Sequence, residues 1–192
     1  MKKMLKPITA IATLAGFAVI TGFVSLSPRN LSLAPSSRLW IDGKSSVKSF
    51  SCSATKVDVA VLAEPGAPAA DLVANASLTV PVASLDCRNG TMNDHMQKAL
   101  KAKTNPQISW RMTSYRVDGA NVVMNGKLSI AGKENPIELT ATGSAESNGT
   151  IRVKGSKEFK MTEFGVKPPS LMMGTMKVKD AVKVSFDFVL NP

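Results

Sequence analysis

The sequence predicts an all-β protein, an eight-stranded antiparallel up-and-down β-barrel with an apolar interior and one short helix. The first observation is the last strand, where mostly polar residues separate the apolar residues Val182, Val184, Phe186, Phe188 and Leu190. Successive side chains of a strand point to opposite faces of its sheet, so a period of two indicates one buried and one solvated face. When such a sheet closes on itself, the buried face becomes either a packed core or a pocket.

The same alternation recurs upstream, with short turns between the alternating segments. In residues 121–131 one face consists of Val122, Met124, Leu128 and Ile130. Dipeptides such as Asp118-Gly119 suit the positive φ angles of tight hairpin turns. The predicted strands cover residues 39–41, 47–54, 56–62, 76–82, 108–117, 121–131, 137–143, 151–161 and 177–190. Strands joined mostly by hairpins are typical of an up-and-down barrel.

One segment breaks this period and predicts the helix. Between residues 91 and 103 the apolar residues recur at helical spacing, and they are Met92, Met96, Ala99 and Leu100. Thr91 or Asn93 could cap its start, and the lysines near its end match the helix dipole.

The N-terminal segment predicts export. Three lysines precede an almost uninterrupted apolar run at residues 8–26, which is typical of a secretory signal peptide spanning residues 1–27. The run is also nearly long enough to span a bilayer, so an uncleaved anchor at residues 8–26 stays open. Residues 28–37, rich in Ser and Pro, are predicted as a tether, and residues 38–192 as a single domain. The expected location is therefore periplasmic or secreted.

The cysteine pair agrees with export. Cys52 and Cys87 are the two cysteines of the chain. In an oxidising compartment an isolated pair is usually a disulfide, and this bridge would stabilise the fold by roughly 3–4 kcal/mol. Two free buried thiols, or a redox or metal role, remain alternatives.

The net charge of +10 is spread along the chain. Three of these charges lie in the signal segment, and the others are scattered over the polar faces of strands. Nucleic-acid binding needs clustered charge with stacking groups, and the sequence has neither, so no nucleic-acid partner is predicted. Association with an anionic membrane surface is a better use of this charge.

Three motifs, in order, resemble the YceI-like family. The segment GKLSIAG at residues 126–132, followed by Pro136-Ile137, is similar to that family's hairpin G-x-L-x-I-x-G-x-x-x-P-[VI]. NDHM at residues 93–96 with NPQISW at residues 105–110 resembles its helix and following strand. MTEFGVKPP at residues 161–169 resembles its M-T-D-F-G-I-x-P-P signature. Trp40-Ile41-Asp42 and Ser45 fit the opening strand.

This resemblance covers roughly residues 38–190 and carries functional expectations. It implies a lipocalin-like, extended antiparallel barrel, exported by bacteria, that binds amphiphilic lipids such as polyisoprenoids in a long apolar channel. The chain departs from the family at Lys44, where many members have histidine. The two cysteines are further additions.

Other chemistry has weaker support in the sequence. The cluster Met172-Met173-x-x-Met176 could offer thioethers to Cu(I), but methionine also fills irregular apolar pockets. His95 is the one histidine, predicted as a helix-surface residue or a lid contact. No nucleophile elbow or acid/base carboxylate pair accompanies it. We therefore expect a binding protein and not an enzyme, without a metal or another cofactor.

The predicted mechanism is sequestration of an isoprenoid or acyl chain inside the barrel. Met96 and Leu100 would close one end, Phe164 and the methionines would form a rim, and no polar residue stands out at the inward positions of the clearest strands. Head-group selectivity would then come from the rim. The candidate ligand-binding residues are Leu78, Val80, Met96, Leu100, Ile108, Trp110, Met112, Met124, Leu128, Ile130, Phe164, Met172, Met176, Phe186 and Phe188.

Two other functions remain open at this point. One is a ligand-free envelope interaction module, whose barrel is filled by its own side chains. The other is a copper or redox-stress protein that uses the methionine cluster. The sequence also leaves the oligomeric state open, a dimer included.

Overall fold

The computed structural model describes residues 29–63, 73–145, 149–171 and 176–192. Within these ranges the chain forms strands, one α-helix α1 (Gly90–Ala99) and two short 3-10 helices, η1 (Val82–Ser84) and η2 (Met161–Phe164). The strands are β1 (Arg29–Leu33), β2 (Arg38–Ser45), β3 (Ser49–Ala54), β4 (Asp58–Ala63), β5 (Val73–Pro81), β6 (Leu85–Asp86), β7 (Gln107–Asp118), β8 (Asn121–Ile130), β9 (Lys133–Ala145), β10 (Ile151–Lys160), β11 (Ser170–Leu171) and β12 (Met176–Asn191).

Eight strands close into a ring. Their order is β1-β4-β5-β7-β8-β9-β10-β12, and β12 returns to β1 through the pairs Ser32↔Asn191 and Leu33↔Leu190. Every pairing around the ring is antiparallel. The predicted all-β fold, an eight-stranded antiparallel barrel with one helix, is confirmed.

The remaining sheet extends the barrel beyond this ring. The long strand β12 pairs with β1 only at its C-terminal end and with β2 from Val178 to Asp187. Strand β2 then pairs with β3, and β3 with the short β6. Residues 39–41, predicted as the opening strand of the barrel, belong to β2 and therefore lie outside the ring of eight. The reason is that β12 is long enough to pair with β2 and then with β1 along the same edge.

The ring is completed by residues that the sequence analysis assigned to a tether. Residues 29–33 of the predicted tether 28–37 instead form β1, and Leu31 pairs with Val61 of β4. Leu31 is buried, since Leu31 and Leu33 alternate with polar residues and turn an apolar face inward. The Ser- and Pro-rich composition just after this strand obscured the short alternation. The predicted signal peptide lies outside the described residues.

The helix begins earlier than predicted and ends earlier. Asn89, rather than Thr91 or Asn93, caps it, and its side chain accepts a hydrogen bond from the Met92 N–H at 3.0 Å. Asn93 instead holds the preceding segment, accepting from the Cys87 N–H at 2.8 Å. The predicted continuation to residue 103 fails at Lys101, whose φ of 54° is left-handed. No helix in the described ranges has the length and apolar character needed to cross a membrane.

Buried side chains divide the barrel interior into two regions. At one end, Leu31, Trp110 and Met112 belong to one cluster. At the other end, Phe164 and Val166 form a second cluster, and Val80 with Leu85 belong to a third. Leu100 packs against both of these latter clusters. The end of α1 therefore lies over this end of the barrel and forms part of the wall described next.

Candidate functional site

A cavity of about 330 Å³ lies inside the barrel. Its wall combines inward-facing side chains of the strands with one side of α1, and most of these side chains are apolar. The volume is within the range of pockets that bind small molecules. The alternation in the sequence thus leads to a partly hollow interior and not to a fully packed one.

Nearly all the predicted ligand-binding residues that the structure describes lie along this cavity. They are Leu78, Val80, Met96, Leu100, Ile108, Trp110, Met124, Leu128, Ile130, Phe164, Met176, Phe186 and Phe188. Their contact with a ligand stays a prediction.

Of the two remaining predicted residues, one is absent from the wall and the other is not described. Met112 is 8% exposed and packs in the cluster that contains Leu31, but it does not line the cavity. Met172 lies outside the described residues, as does its neighbour Met173. The copper hypothesis rests on that pair and stays a prediction. In the described ranges, no group of three or more His, Cys, Asp or Glu residues could hold a metal ion.

Further wall residues come from strands whose inward face the sequence analysis did not assign. They include Ile41, Phe50, Val59, Ile137, Leu139 and Phe159. The signal that could have found them is the same period of two, since Ile137 and Leu139 or Val59 and Val61 alternate with outward residues in predicted strands.

Three glycines leave room for aromatic rings to lie close to the backbone of the wall. A Cβ added to Gly126 would collide with the Trp110 ring, one at Gly43 with Phe50, and one at Gly155 with Phe186. At Gly143, by contrast, an added Cβ would meet nothing within 4 Å. The rings therefore fill part of the interior over three glycines, whereas the space in front of Gly143 stays open.

One side of α1 forms a wall of the cavity, and a disulfide joins the segment before it to the sheet. Met92, His95, Met96 and Ala99 recur at the three- and four-residue spacing that places side chains on one helix face, and all four line the cavity. Cys52 on β3 is bonded to Cys87, which precedes the helix. The predicted disulfide is confirmed, and both of its cysteines lie along the cavity.

Three ionisable side chains interrupt this apolar wall: Lys48, His95 and Lys157. No carboxylate occurs among the lining residues of the described ranges. His95 Nδ1 and Trp110 Nε1 are buried, and neither has a hydrogen-bond partner there. The expectation that the lysines and arginines lie on the polar faces of the strands is therefore wrong for Lys157, because Ile151, Val153, Lys157 and Phe159 share the inner face of β10.

The carboxylates with perturbed pKa values lie away from the cavity wall. Hydrogen bonding from Arg152 lowers the pKa of Asp187 to about 2, and Lys154 adds to the effect. Bonds from the Thr162 hydroxyl and N–H lower the pKa of Asp180. Bonds from the Asn93 amide and the Arg88 N–H lower that of Asp86. These carboxylates stay ionised and join structural elements.

Comparison with solved structures supports the fold. The Burkholderia cenocepacia protein BcnA superposes with a TM-score of 0.71 at 23% identity, covering 82% of this chain and 99% of that one. A polyisoprenoid binding domain from Saccharophagus degradans, implicated in plant cell wall breakdown, has a TM-score of 0.64 at 14% identity, covering 84% of this chain and 97% of its own. A Campylobacter jejuni YCEI protein gives 0.60 at 20% identity, covering 98% of this chain and 99% of that one.

Comparison of the sequence with curated proteins gives no match. The model of the YceI-like domain, however, matches residues 36–190, most of the chain. The match includes all three motifs from which the resemblance was inferred. The chain belongs to the YceI-like domain family.

Proposed function

We propose that this protein is an exported lipid-binding protein, and not an enzyme, that sequesters or carries the hydrocarbon chain of an amphiphilic lipid inside its barrel. The observation that carries the proposal is the unfilled, mostly apolar cavity of about 330 Å³. A ligand-free interaction module would fill that space with its own side chains, as Trp110 and Phe186 do over Gly126 and Gly155.

The hydrophobic effect is large enough for such capture. Burying apolar surface yields roughly 25 cal/mol per Å². A twenty-carbon chain that buries about 400 Å² would gain on the order of 10 kcal/mol before the entropic costs of binding. The mechanism therefore needs no hydrogen bond to the ligand's hydrocarbon chain, and either an isoprenoid or an acyl chain could be bound in this way.

Two further observations support export and lipid binding. The disulfide between Cys52 and Cys87 suits an oxidising compartment, as does the basic and apolar N-terminal segment. The neighbour from Saccharophagus degradans is a polyisoprenoid binding domain, which makes isoprenoids a sensible first class of ligand.

The turn between β2 and β3 supports cargo exchange at a membrane surface. Val47, at this turn, is 68% exposed, more than Val117 at 40% or Leu62 at 37%. Lys44 and Lys48 flank it, and Lys48 also lines the cavity. An exposed apolar tip between cations suits contact with anionic lipids beside an entrance to the cavity.

Displacement of a neutral apolar fluorophore, N-phenyl-1-naphthylamine, by the isoprenoid alcohol geranylgeraniol tests the proposal. Leu128→Glu places a carboxylate in the cavity wall, and we expect at least a tenfold loss of affinity. The matched control Ser129→Glu, on the outer face of β8, should bind normally. Circular dichroism establishes that both variants are folded.

A second variant avoids a buried charge. Gly143→Leu should narrow the cavity, because nothing lies within 4 Å of the added Cβ, and should also weaken binding. If folded Leu128→Glu and Gly143→Leu proteins bind the alcohol as tightly as the native chain, the cavity is not the binding site. Native mass spectrometry of protein from its own host should show a lipid-sized adduct.

A further inference from the structure

The inward position of Lys157 is unusual for this barrel. Its β10 neighbours on the same face are Gly155 and Phe159, and its partner across the strand pair is Val184 of β12. Lys157 is half-buried, so part of its side chain is removed from water. A lysine at such a position is rare in an apolar wall unless something compensates the charge.

No compensating anion is present in the described ranges. The salt bridges of the described residues join Lys56, Lys127, Lys154, Arg116 and Arg152 to outer-face carboxylates, and none involves Lys157. The adjacent Glu158 points to the opposite face and is exposed. The cavity wall itself holds no carboxylate there. Within the described ranges, Lys157 therefore lines a cavity whose other side chains include Lys48 and no carboxylate.

Two further residues of the wall, His95 and Trp110, each carry a buried ring nitrogen without a hydrogen-bond partner in the described ranges. His95 Nδ1 is buried without a partner, and it donates whenever it carries a proton. Trp110 Nε1 is a donor only, also buried and without a partner. Ser45 Oγ, by contrast, is already used, since it donates to the Lys48 carbonyl and accepts from the Lys48 N–H. In the described ranges, no carboxylate lines the cavity to accept from these groups.

We propose that the cavity selects amphiphiles with an oxyanion head group, such as a phosphate, and that Lys157 is the head-group contact. This inference rests on the proposed lipid-binding function and adds the ligand's charge. The ammonium donates to an oxygen of the head group, while the chain occupies the apolar space. Lys48, exposed at the end of the cavity formed by the β2–β3 turn, attracts the anion from solution.

The test compares two ligands with the same chain, geranylgeranyl phosphate and geranylgeraniol, by displacement of N-phenyl-1-naphthylamine. The native protein should bind the phosphate roughly ten- to a hundredfold more tightly, as for a hydrogen bond to a charged group. Lys157→Met should remove this preference by weakening phosphate binding alone, and Lys157→Arg should keep it.

The matched control is Lys183→Met. Lys183 is exposed on the outer face of β12, next to Val184, and its loss removes the same single charge. Both affinities should be unchanged in this variant. If it lost the preference as fully as Lys157→Met does, the net charge and not Lys157 would be responsible, and the inference would fail.

A competition experiment with inorganic phosphate distinguishes a lipid head group from a free phosphate ion as the ligand of Lys157. Millimolar phosphate should neither displace the fluorophore nor compete measurably with geranylgeranyl phosphate, because it lacks the chain. If inorganic phosphate does compete, and this competition disappears in Lys157→Met, then Lys157 binds free anions. That result would overturn the assignment of Lys157 to a lipid head group. Equal native affinities for alcohol and phosphate would overturn the inference and leave the proposed function intact. Binding of neither ligand would refute the proposed function itself.

Discussion

Arg152 and Asp187 form two parallel hydrogen bonds across the outer face of the barrel. Arg152 Nε donates to Asp187 Oδ1 at 2.8 Å, and Arg152 Nη2 donates to Oδ2 at 2.7 Å. Lys154 Nζ lies 3.3 Å from the same Oδ2. The fork geometry fixes both groups in orientation as well as in distance. It joins β10 to β12 behind Val153 and Phe188, which are paired across these strands and line the cavity on the other side.

The first prediction concerns acid. Arg152, and next Lys154, lower the pKa of Asp187 from 3.8 to about 2 in the folded state. A carboxylate whose pKa is lowered on folding stabilises the protein above its unfolded pKa, and this contribution is lost as the pH falls to the folded value. Asp187→Asn should therefore cost about 0.5–1 kcal/mol at pH 7. Below pH 4 this difference should shrink and be largely gone near pH 2. Urea denaturation of both proteins at pH 7, 3 and 2 measures it, and a difference independent of pH would contradict the prediction.

The second prediction concerns the glycines under the aromatic rings. A Cβ on Gly155 would collide with the Phe186 ring and lie 2.8 Å from the Thr140 carbonyl oxygen, which belongs to the backbone and cannot move aside. Gly155→Ala should cost about 1–3 kcal/mol of unfolding free energy, as overpacking does elsewhere. Gly143→Ala is the control, since its Cβ meets nothing within 4 Å, and it should be close to neutral. Thermal denaturation compares the stabilities of the two variants. If Gly143→Ala lost as much stability as Gly155→Ala, the prediction that a Cβ fits at Gly143 would be wrong.

The third prediction concerns the disulfide. Cys52 is 1% exposed, and its bond to Cys87 holds the start of α1 against β3. The double variant Cys52→Ser with Cys87→Ser should lose roughly 3–4 kcal/mol of stability. Because α1 forms a wall of the cavity, faster amide hydrogen exchange is expected in residues 89–99, together with weaker lipid binding. Reductant should reproduce these changes in the native protein and have no further effect on the variant.

The parts of this molecule that the sequence predicts correctly are those with long, regular patterns. Val182 to Leu190 and Val122 to Ile130 alternate over whole strands, so the sequence alone predicts their inner faces. β1 was missed because a five-residue strand offers only Leu31 and Leu33 as signal, and a proline follows closely.

The chemistry of the cavity was harder to predict for a different reason. Lys157 follows the inward parity of Ile151 and Val153, yet its charge suggested an outward residue, because lysines are seldom buried. The position of His95 in the wall depends on how α1 lies over the barrel end, which is tertiary information. A single sequence does not contain the packing that turns a lysine inward or places a helix face against a cavity.

The last prediction concerns the closed end of the barrel at η2. Phe164 is 3% exposed and meets Phe159 edge to face, with ring centroids 5.3 Å apart. Thr162 anchors this turn, because its N–H and hydroxyl donate to Asp180 at 3.0 and 2.6 Å. Phe164→Ala should cost about 3 kcal/mol and enlarge the cavity at this end. Phe164→Leu keeps most of the apolar volume and should cost less than about 1.5 kcal/mol.

The rate of ligand dissociation shows whether Phe164 covers an opening of the cavity or only stabilises the fold. If Phe164 closes the cavity, Phe164→Ala should release geranylgeraniol several times faster than the native protein in a stopped-flow displacement. Phe164→Leu should release it at nearly the native rate, since the opening stays covered. A destabilised Phe164→Ala protein with an unchanged dissociation rate would show that this end does not control exchange. Lipid would then enter and leave by another route, such as the turn that carries Val47 and Lys48.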